Sequence, residues 1–239
     1  MEKGFVIAID GPAAAGKGTI VQMLTKYLDG INIYTGGMYR ALGLKCLRKN
    51  ISLDDKEKII EIMNNSDINL GSGDNLGIVA NVYLDGENVT EGIKTPDVGI
   101  AAGKTVLIEE VRNAMVRRQR ELADRFINMG KTVILDGQDT ALIYPDAKIK
   151  IFLTASQEAR AKRRQKQYER QGIAKTLENV LSEIKERDTR DFSRNVHPLS
   201  KDPLNDGYFV LDSTDLNEEE TFNIIKEELF KRGFINDKN

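Results

Sequence analysis

Residues 5–19 read FVIAIDGPAAAGKGT: a short apolar run, a glycine-bounded loop, a lysine and then a hydroxyl residue. Phe5, Val6, Ile7 and Ile9 suit a strand buried on both faces of a parallel sheet. Gly11 and Gly16 permit backbone conformations that a side chain would obstruct. The loop between them, Pro12, Ala13, Ala14 and Ala15, can turn its N–H groups inward around phosphate oxygens, helped by the start of the next helix at Gly18. Lys17 adds a mobile positive charge for the outer phosphates, and Thr19 can ligate Mg²⁺. The pattern departs from G-x-x-x-x-G-K-[ST] at one place: Gly18 follows Lys17 directly and the hydroxyl comes one residue later. A chain that begins this way is committed to a strand, loop and helix that hold a nucleotide triphosphate.

The chain is 239 residues long, enough for one large domain or a core with insertions. Charged residues make up 30% and the net charge is −2, so no global basicity points to nucleic acid. The one cysteine, Cys46, excludes an internal disulfide framework and sits among Leu42, Leu44 and Leu47 as a buried, inert thiol. A single histidine, His197, with a single cysteine cannot assemble a zinc site of the usual kind. No apolar stretch approaches the length of a membrane span, and MEKGF leads straight into the first strand, leaving no room for a signal peptide. The expectation is a soluble, cytoplasmic protein.

Apolar runs at 5–9, 31–34, 132–135, 149–153 and 208–211 alternate with helical periodicity. Ile20, Met23, Leu24, Tyr27 and Leu28 line one face after the loop, and 106–129 is a long charged segment with Val111, Met115, Leu122 and Phe126 near helical spacing. Thr176 can cap a helix over 177–189, and Asn217 with Glu220 opens the final helix. Five such strands with helical crossovers predict an α/β fold: a parallel sheet covered on both faces. Residues 66–95 break the alternation. There Ile78, Val79, Val82, Tyr83 and Leu84 precede Asp85-Gly86 and Val89, predicting a small antiparallel insertion. The tail after Gly233 is expected to fray.

Three further features carry chemistry. TVILDGQD at 132–139 ends a strand at Asp136, where a carboxylate near the phosphate loop can hold Mg²⁺ through water. Arginines cluster at 160–170, including Arg160, Arg163, Arg164 and Arg170, and again at Arg187, Arg190 and Arg194. A polyphosphate transfer site needs fixed positive charge of this kind, while glutamates interspersed in the same stretch argue against a nucleic-acid surface; half of these arginines are expected to be solvated face. TGGMYR at 35–40 lies just past the second strand, with Thr35 and Arg40 placed to hold an acceptor phosphate opposite the donor.

These residues resemble a known family. IDGPAAAGKGT, TGGMYR, VYLDGENVTEGIKTPDV, VRNAMVRRQRELA, LDGQDTALIYPDAKIKIFLTAS and EIKERDTRDFSRNVHPL together are similar to bacterial-type cytidylate kinases over nearly the whole chain, and the GKGT ending is typical of nucleoside monophosphate kinases. The resemblance implies a three-layer P-loop kinase fold and ATP:(d)CMP phosphotransfer with Mg²⁺ and no covalent intermediate. It implies one domain, with a core of 1–34, 106–155 and 176–239, a monophosphate-binding region at 35–105 that carries the β insertion, and a mobile helical lid at 156–175. By position, Thr35, Arg40, Arg112, Asp139, Arg187, Asp191 and Arg194 match family residues that hold the monophosphate. Arg112 and Asp139 would read cytosine, Asp191 would meet the ribose hydroxyls, and Arg40 and Arg194 would meet the phosphate. Lys17, Arg160, Arg164 and Arg194 would serve transfer, and Arg163 would serve the donor site. A monomer without nucleic-acid or membrane partners is the family expectation.

The chain departs from the family pattern at several positions. Gln138 stands where the family has arginine, Gly103 where it has serine or a similar base-contacting residue, Tyr34 where it has aspartate, Lys94 where it has arginine, and Ala14 where it often has glycine. Two alternatives therefore stand beside an active cytidylate kinase. One is a kinase of the same fold with a shifted monophosphate acceptor. The other is an ATP-binding regulatory protein with weak turnover.

Overall fold

A computed structural model describes residues 4–71, 81–194 and 196–236. β1 (Val6–Asp10) leads through the glycine-bounded loop into α1 (Lys17–Tyr27). β2 (Ile31–Tyr34) runs directly into α2 (Thr35–Arg48), and α3 (Lys56–Asn64) follows, capped by the Asp55 side chain on the Lys58 N–H. β3 (Ile68–Gly71), β4 (Asn81–Leu84) and β5 (Glu87–Asn88) form a three-stranded antiparallel sheet. α4 (Pro96–Thr105) has Thr95 as its cap and proline at its first position, where a missing N–H does no harm. The long α5 (Glu109–Asn128) returns the chain to the main sheet. There follow β6 (Val133–Asp136), the single turn α6 (Thr140–Ile143), β7 (Ile149–Thr154), α7 (Gln157–Arg170), α8 (Leu177–Ser193), β8 (Phe209–Asp212) and α9 (Glu218–Lys231).

The main sheet is parallel, in the order β2-β6-β1-β7-β8. β1 lies between two strands that come much later in the chain, so connections diverge beyond its carboxyl end and leave a crevice there. Register fixes what borders that crevice: Tyr34 and Ile9 both pair with Asp136, and Asp10 pairs with Phe152. Alternate strand residues face opposite layers. Val6, Ile33, Val133 and Leu135 pack with α2 and α5, and the insertion adds Ile68, Leu70, Val82 and Leu84 to this same cluster. Ile7, Ile9, Ile134 and Ile151 pack on the other side against Leu24, Ile225 and Leu229. Each such side chain taken fully out of water stabilises by roughly 1.5–3 kcal/mol.

All five apolar runs are strands of the main sheet. The expected hairpin forms at Asp85-Gly86, whose φ values of 51° and 82° give the two-residue turn that matches strand twist; Ile78 and Val79 lie outside the described residues. The capping box at Asn217 and Glu220 is formed, and Thr176 caps α8, which continues past its expected end at 189 to Ser193. Cys46 is buried, as its leucine neighbours required. The segment just after Gly233 differs from expectation. Phe234 and Ile235 pack on the second core, the Phe5 and Phe234 rings lie 6.0 Å apart, and Lys148 Nζ sits 5.5 Å from the Phe234 ring. Two large apolar side chains directly after the helix cap dock 234–235 instead of letting them fray, and 237–239 lie outside the described residues. Among the described residues no helix is long and apolar enough to cross a membrane.

Candidate active site

The loop after β1 is held from three sides. Gly11 has φ 144°, and a Cβ there would fall 2.0 Å from the Leu153 carbonyl oxygen, so no other residue fits. α1 begins with no side-chain cap and no acid in its first turn, leaving its positive end open to an anion. Lys17 Nζ donates to the carbonyls of Gly11 at 2.6 Å and Pro12 at 2.9 Å. Burial pushes the Lys17 ammonium below its usual range, against the pull of the Asp136 carboxylate. α7 grips three successive loop residues. Arg160 Nη1 donates to the Ala13 carbonyl at 3.2 Å and Arg163 Nη1 to the Ala15 carbonyl at 3.3 Å. Between them Ala14, at φ 60°, packs against the small cluster of Ala161, Val180 and Ile184. That packing accounts for an alanine in a left-handed conformation that disfavours it by roughly 1 kcal/mol.

Asp10 and Asp136 end adjacent strands beside this loop. Both Asp10 oxygens are saturated: they accept from the Thr140 and Ala141 N–H groups at 2.7 and 3.0 Å, from Thr140 Oγ1 at 2.9 Å and from Tyr208 Oη at 2.8 Å. Asp10 thus caps α6 from another strand and fixes the 136–140 turn, although burial pushes its carboxyl up. Burial likewise raises Asp136 to about 6, opposed by Lys17. Thr19 Oγ1 lies 3.5 Å from Glu218 at the start of α9. Among the described residues no three His, Cys, Asp or Glu side chains gather as a metal cage. One carboxylate beside Lys17 is a donor set that fits a hard divalent cation carried chiefly on phosphate and water oxygens.

Opposite lies a second cluster, centred on Asp139. Its Oδ2 pairs with Arg112, buried at 1% exposure on α5, and lies 3.2 Å from His197 Nδ1. Arg194 Nη2 is 4.0 Å from Oδ1, and Arg194 Nε donates to the His197 carbonyl at 2.5 Å. Burial alone would raise the Asp139 carboxyl, but His197 and the two guanidiniums outweigh it and hold it below the usual carboxylate range. Tyr39 Oη, Arg112 Nε and Arg194 Nη2 are buried here without a hydrogen-bond partner among the described residues. Gln138 donates its amide to Asp191, which also pairs with Arg187 at 3.6 Å. Thr35 Oγ1 donates to the Asp136 carbonyl at 2.9 Å. Arg40 is turned toward the insertion side, donating to the Ile93 carbonyl at 2.7 Å with its guanidinium over Gly99. Gly103 is exposed, with open space where a side chain would stand. The Tyr34 ring covers Gly36 and Gly37 at the start of α2, and Lys94 pairs with Glu91 at the surface.

α7 and α8 form a helical hairpin over the loop. Arg160 is 3% exposed and pairs through both Nη atoms with Asp188, at 2.9 and 2.6 Å. Arg163 donates to Ser213 Oγ at 3.0 Å and to the Ser213 carbonyl at 2.5 Å, tying α7 to the end of β8. Arg164 is engaged on its own helix, stacked 4.6 Å over Tyr168 with Nη1 on Gln167 at 3.1 Å. Lys162, Lys166 and Arg170 are solvated face. Asp10, Asp188, His197, Tyr208 and Ser213 were not singled out from sequence as site residues. Of these, Asp10 alone carried a local signal, as a carboxylate ending the strand before Gly11.

A phosphate loop at the switch point of a β2-β6-β1-β7-β8 parallel sheet, under an arginine-bearing helical hairpin, defines a P-loop kinase. The solved structure of an uncharacterized protein from Eubacterium ventriosum shares the fold, with a TM-score of 0.53 at 13% identity over 96% of this chain and 99% of that one. The chain belongs to the cytidylate kinase family, whose sequence profile matches residues 7–231. It is 43% identical over 226 residues to the cytidylate kinase of Caldanaerobacter subterraneus subsp. tengcongensis, covering 94% of each chain. It is 44% identical over 226 residues to that of Caldicellulosiruptor bescii, covering 94% of this chain and 95% of the other. With the cytidylate kinase of Bacillus cytotoxicus the identity is 40% over 221 residues, covering 92% and 93%.

Proposed function

We propose that this protein phosphorylates CMP and dCMP with ATP, yielding CDP or dCDP and ADP. The observation that carries the reading is the Asp139 cluster. A buried carboxylate held ionised, beside Tyr39 Oη, Arg112 Nε and Arg194 Nη2 that lack hydrogen-bond partners among the described residues, suits a nucleotide base and phosphate with both donors and acceptors. Arg112 and Asp139 would read the base, Asp191 the ribose, and Thr35, Arg40, Arg187 and Arg194 the phosphate, with Gln138 and Gly103 lining the same pocket. The loop Gly11–Thr19 and Arg163 would hold ATP. An oxygen of the acceptor phosphate attacks the γ-phosphorus, the bond from that phosphorus to the β–γ bridging oxygen breaks, and ADP leaves with the electron pair. Lys17, Arg160, Arg164 and Arg194 would supply positive charge as the phosphoryl group moves, because charge spreads over its oxygens. Mg²⁺, held by Asp136 through water and by Thr19, would neutralise phosphate oxygens and orient them. The lid, 156–175, would close to exclude water. The protein would act as a cytoplasmic monomer, free of nucleic acid and membrane.

The open space at Gly103 and the Gln138–Asp191 contact favour one second reading, a kinase of the same fold with a shifted acceptor. ADP release from ATP with CMP, dCMP, UMP, AMP and GMP tests both. The expected result is fastest turnover with the cytosine nucleotides. A preference for another base would overturn the cytidylate assignment, and no turnover with any acceptor would overturn the kinase assignment.

A further inference from the structure

His197 is the single histidine of the chain. It sits in a loop pinned to α8, with the Leu199 N–H on the Asp191 carbonyl at 2.8 Å and the Leu199 side chain buried. Its backbone φ is 49°, a left-handed conformation that a non-glycine residue adopts only at some cost. Two contacts use that conformation. The carbonyl receives Arg194 Nε at 2.5 Å, and ring Nδ1 lies 3.2 Å from Asp139 Oδ2. Facing an ionised carboxylate, Nδ1 carries the proton and donates. Oδ2 is therefore occupied twice, by Arg112 and by His197, while among the described residues Oδ1 meets only Arg194 at 4.0 Å.

We propose that His197 is a base-selecting positioning residue: by anchoring Asp139 Oδ2 together with Arg112, it presents Oδ1 as a pure acceptor for the exocyclic amine of cytosine. The inference rests on the cytidylate reading of the Asp139 pocket. Its chemistry is general. Cytosine offers an amine donor at C4, and uracil offers a carbonyl acceptor at the same place. A carboxylate kept ionised accepts from the first and repels the second. Arg112 alone fixes one oxygen along one direction, and a carboxylate held at one point can rotate. The second anchor comes from the loop after α8 rather than from α5, and a second contact on Oδ2 limits that rotation.

The test compares three proteins on CMP and UMP. His197→Gly removes the ring without straining the left-handed backbone. His197→Asn keeps a donor near the Nδ1 position and tolerates the same φ. The expected result for His197→Gly is a rise of about tenfold in KM for CMP, the loss of one charge-assisted hydrogen bond, with kcat and KM for ATP little changed and UMP kinetics shifted less than threefold. His197→Asn should bring the CMP-to-UMP ratio of kcat/KM back to within about threefold of wild type. If His197→Gly melts well below wild type, His197→Leu replaces it, keeping bulk and lacking a donor. An unchanged CMP-to-UMP ratio in the donor-less variant overturns the proposal. A wild type with no preference for CMP over UMP overturns the underlying assignment instead, so the two failures are distinguishable.

Discussion

Lys17 spends its hydrogen bonds on the carbonyls of Gly11 and Pro12, neutral acceptors that a charged phosphate oxygen outcompetes. On the proposed reading its charge acts on the moving phosphoryl group, so Lys17→Ala should lower kcat by roughly a hundred- to a thousandfold with an unchanged circular dichroism spectrum. Near-normal turnover at saturating ATP would remove Lys17 from the chemistry. Gln138 makes a second residue-scale case. Its amide satisfies one oxygen of Asp191 but brings no charge to the acceptor site. Gln138→Arg should lower KM for CMP by about tenfold and leave kcat nearly unchanged, because the added contact is equal in ground and transition states. Steady-state kinetics with CMP and AMP on both proteins decides; no gain for CMP would show a pocket already reshaped around glutamine. The placement of Lys17 and Asp136 beside the loop was legible in the sequence, because Lys17 follows the glycine-bounded loop and Asp136 ends an apolar strand run. Asp188 and His197 were not, since their partners Arg160 and Asp139 lie 28 and 58 residues away and the pairing exists only once the helices and loops have packed.

At the scale of elements, the α7–α8 hairpin is the part that packs against the phosphate loop and that the proposed reaction would need to close. Its interior is small, the apolar trio of Ala161, Val180 and Ile184 plus one buried ion pair, Arg160–Asp188. Removing one partner of a buried pair leaves an uncompensated charge, so Asp188→Ala should destabilise the protein by about 3 kcal/mol in urea unfolding. A loss below about 0.5 kcal/mol would mean the hairpin opens to water in the resting protein. Hydrogen exchange over 156–172 should slow when a bisubstrate analogue binds; equal exchange with and without it would rule out closure of this segment. The elements themselves were readable: every strand of the main sheet followed an apolar run, and the caps at Thr176 and Asn217 fell where the residue types put them. Two features were not. The end of α8 is set by Arg194 turning toward Asp139 and His197, a tertiary demand, and 234–235 dock because Phe5, just before β1, and Lys148, just before β7, offer them a surface.

Over the whole molecule, two nearby carboxylates give stability opposite dependences on pH. Burial raises Asp136 to about 6, so its contribution is fully present below its unfolded value, about 3.9, and is lost as pH rises through about 6. Asp139 is held below its ordinary value, so its contribution is present above about 3.9 and is lost as pH falls through the folded value. Asp136→Asn should therefore stabilise the nucleotide-free protein above pH 6, by about 2 kcal/mol once partial access to solvent is allowed for, and do little at pH 4. Asp139→Asn should be most damaging near pH 7 and least near pH 3. Melting temperatures of the three proteins across pH 3–8 check both signs, and parallel curves would refute them. The grip of α7 on the loop has one more consequence. A trans peptide unit points its carbonyl and its N–H in opposite directions. By drawing the Ala13 and Ala15 carbonyls toward themselves, Arg160 and Arg163 turn the N–H groups of Ala14 and Gly16 the other way. The arginine-bearing helix thereby sets the electrical polarity of the loop beneath it, which stands oriented as an anion receptor with no ligand bound.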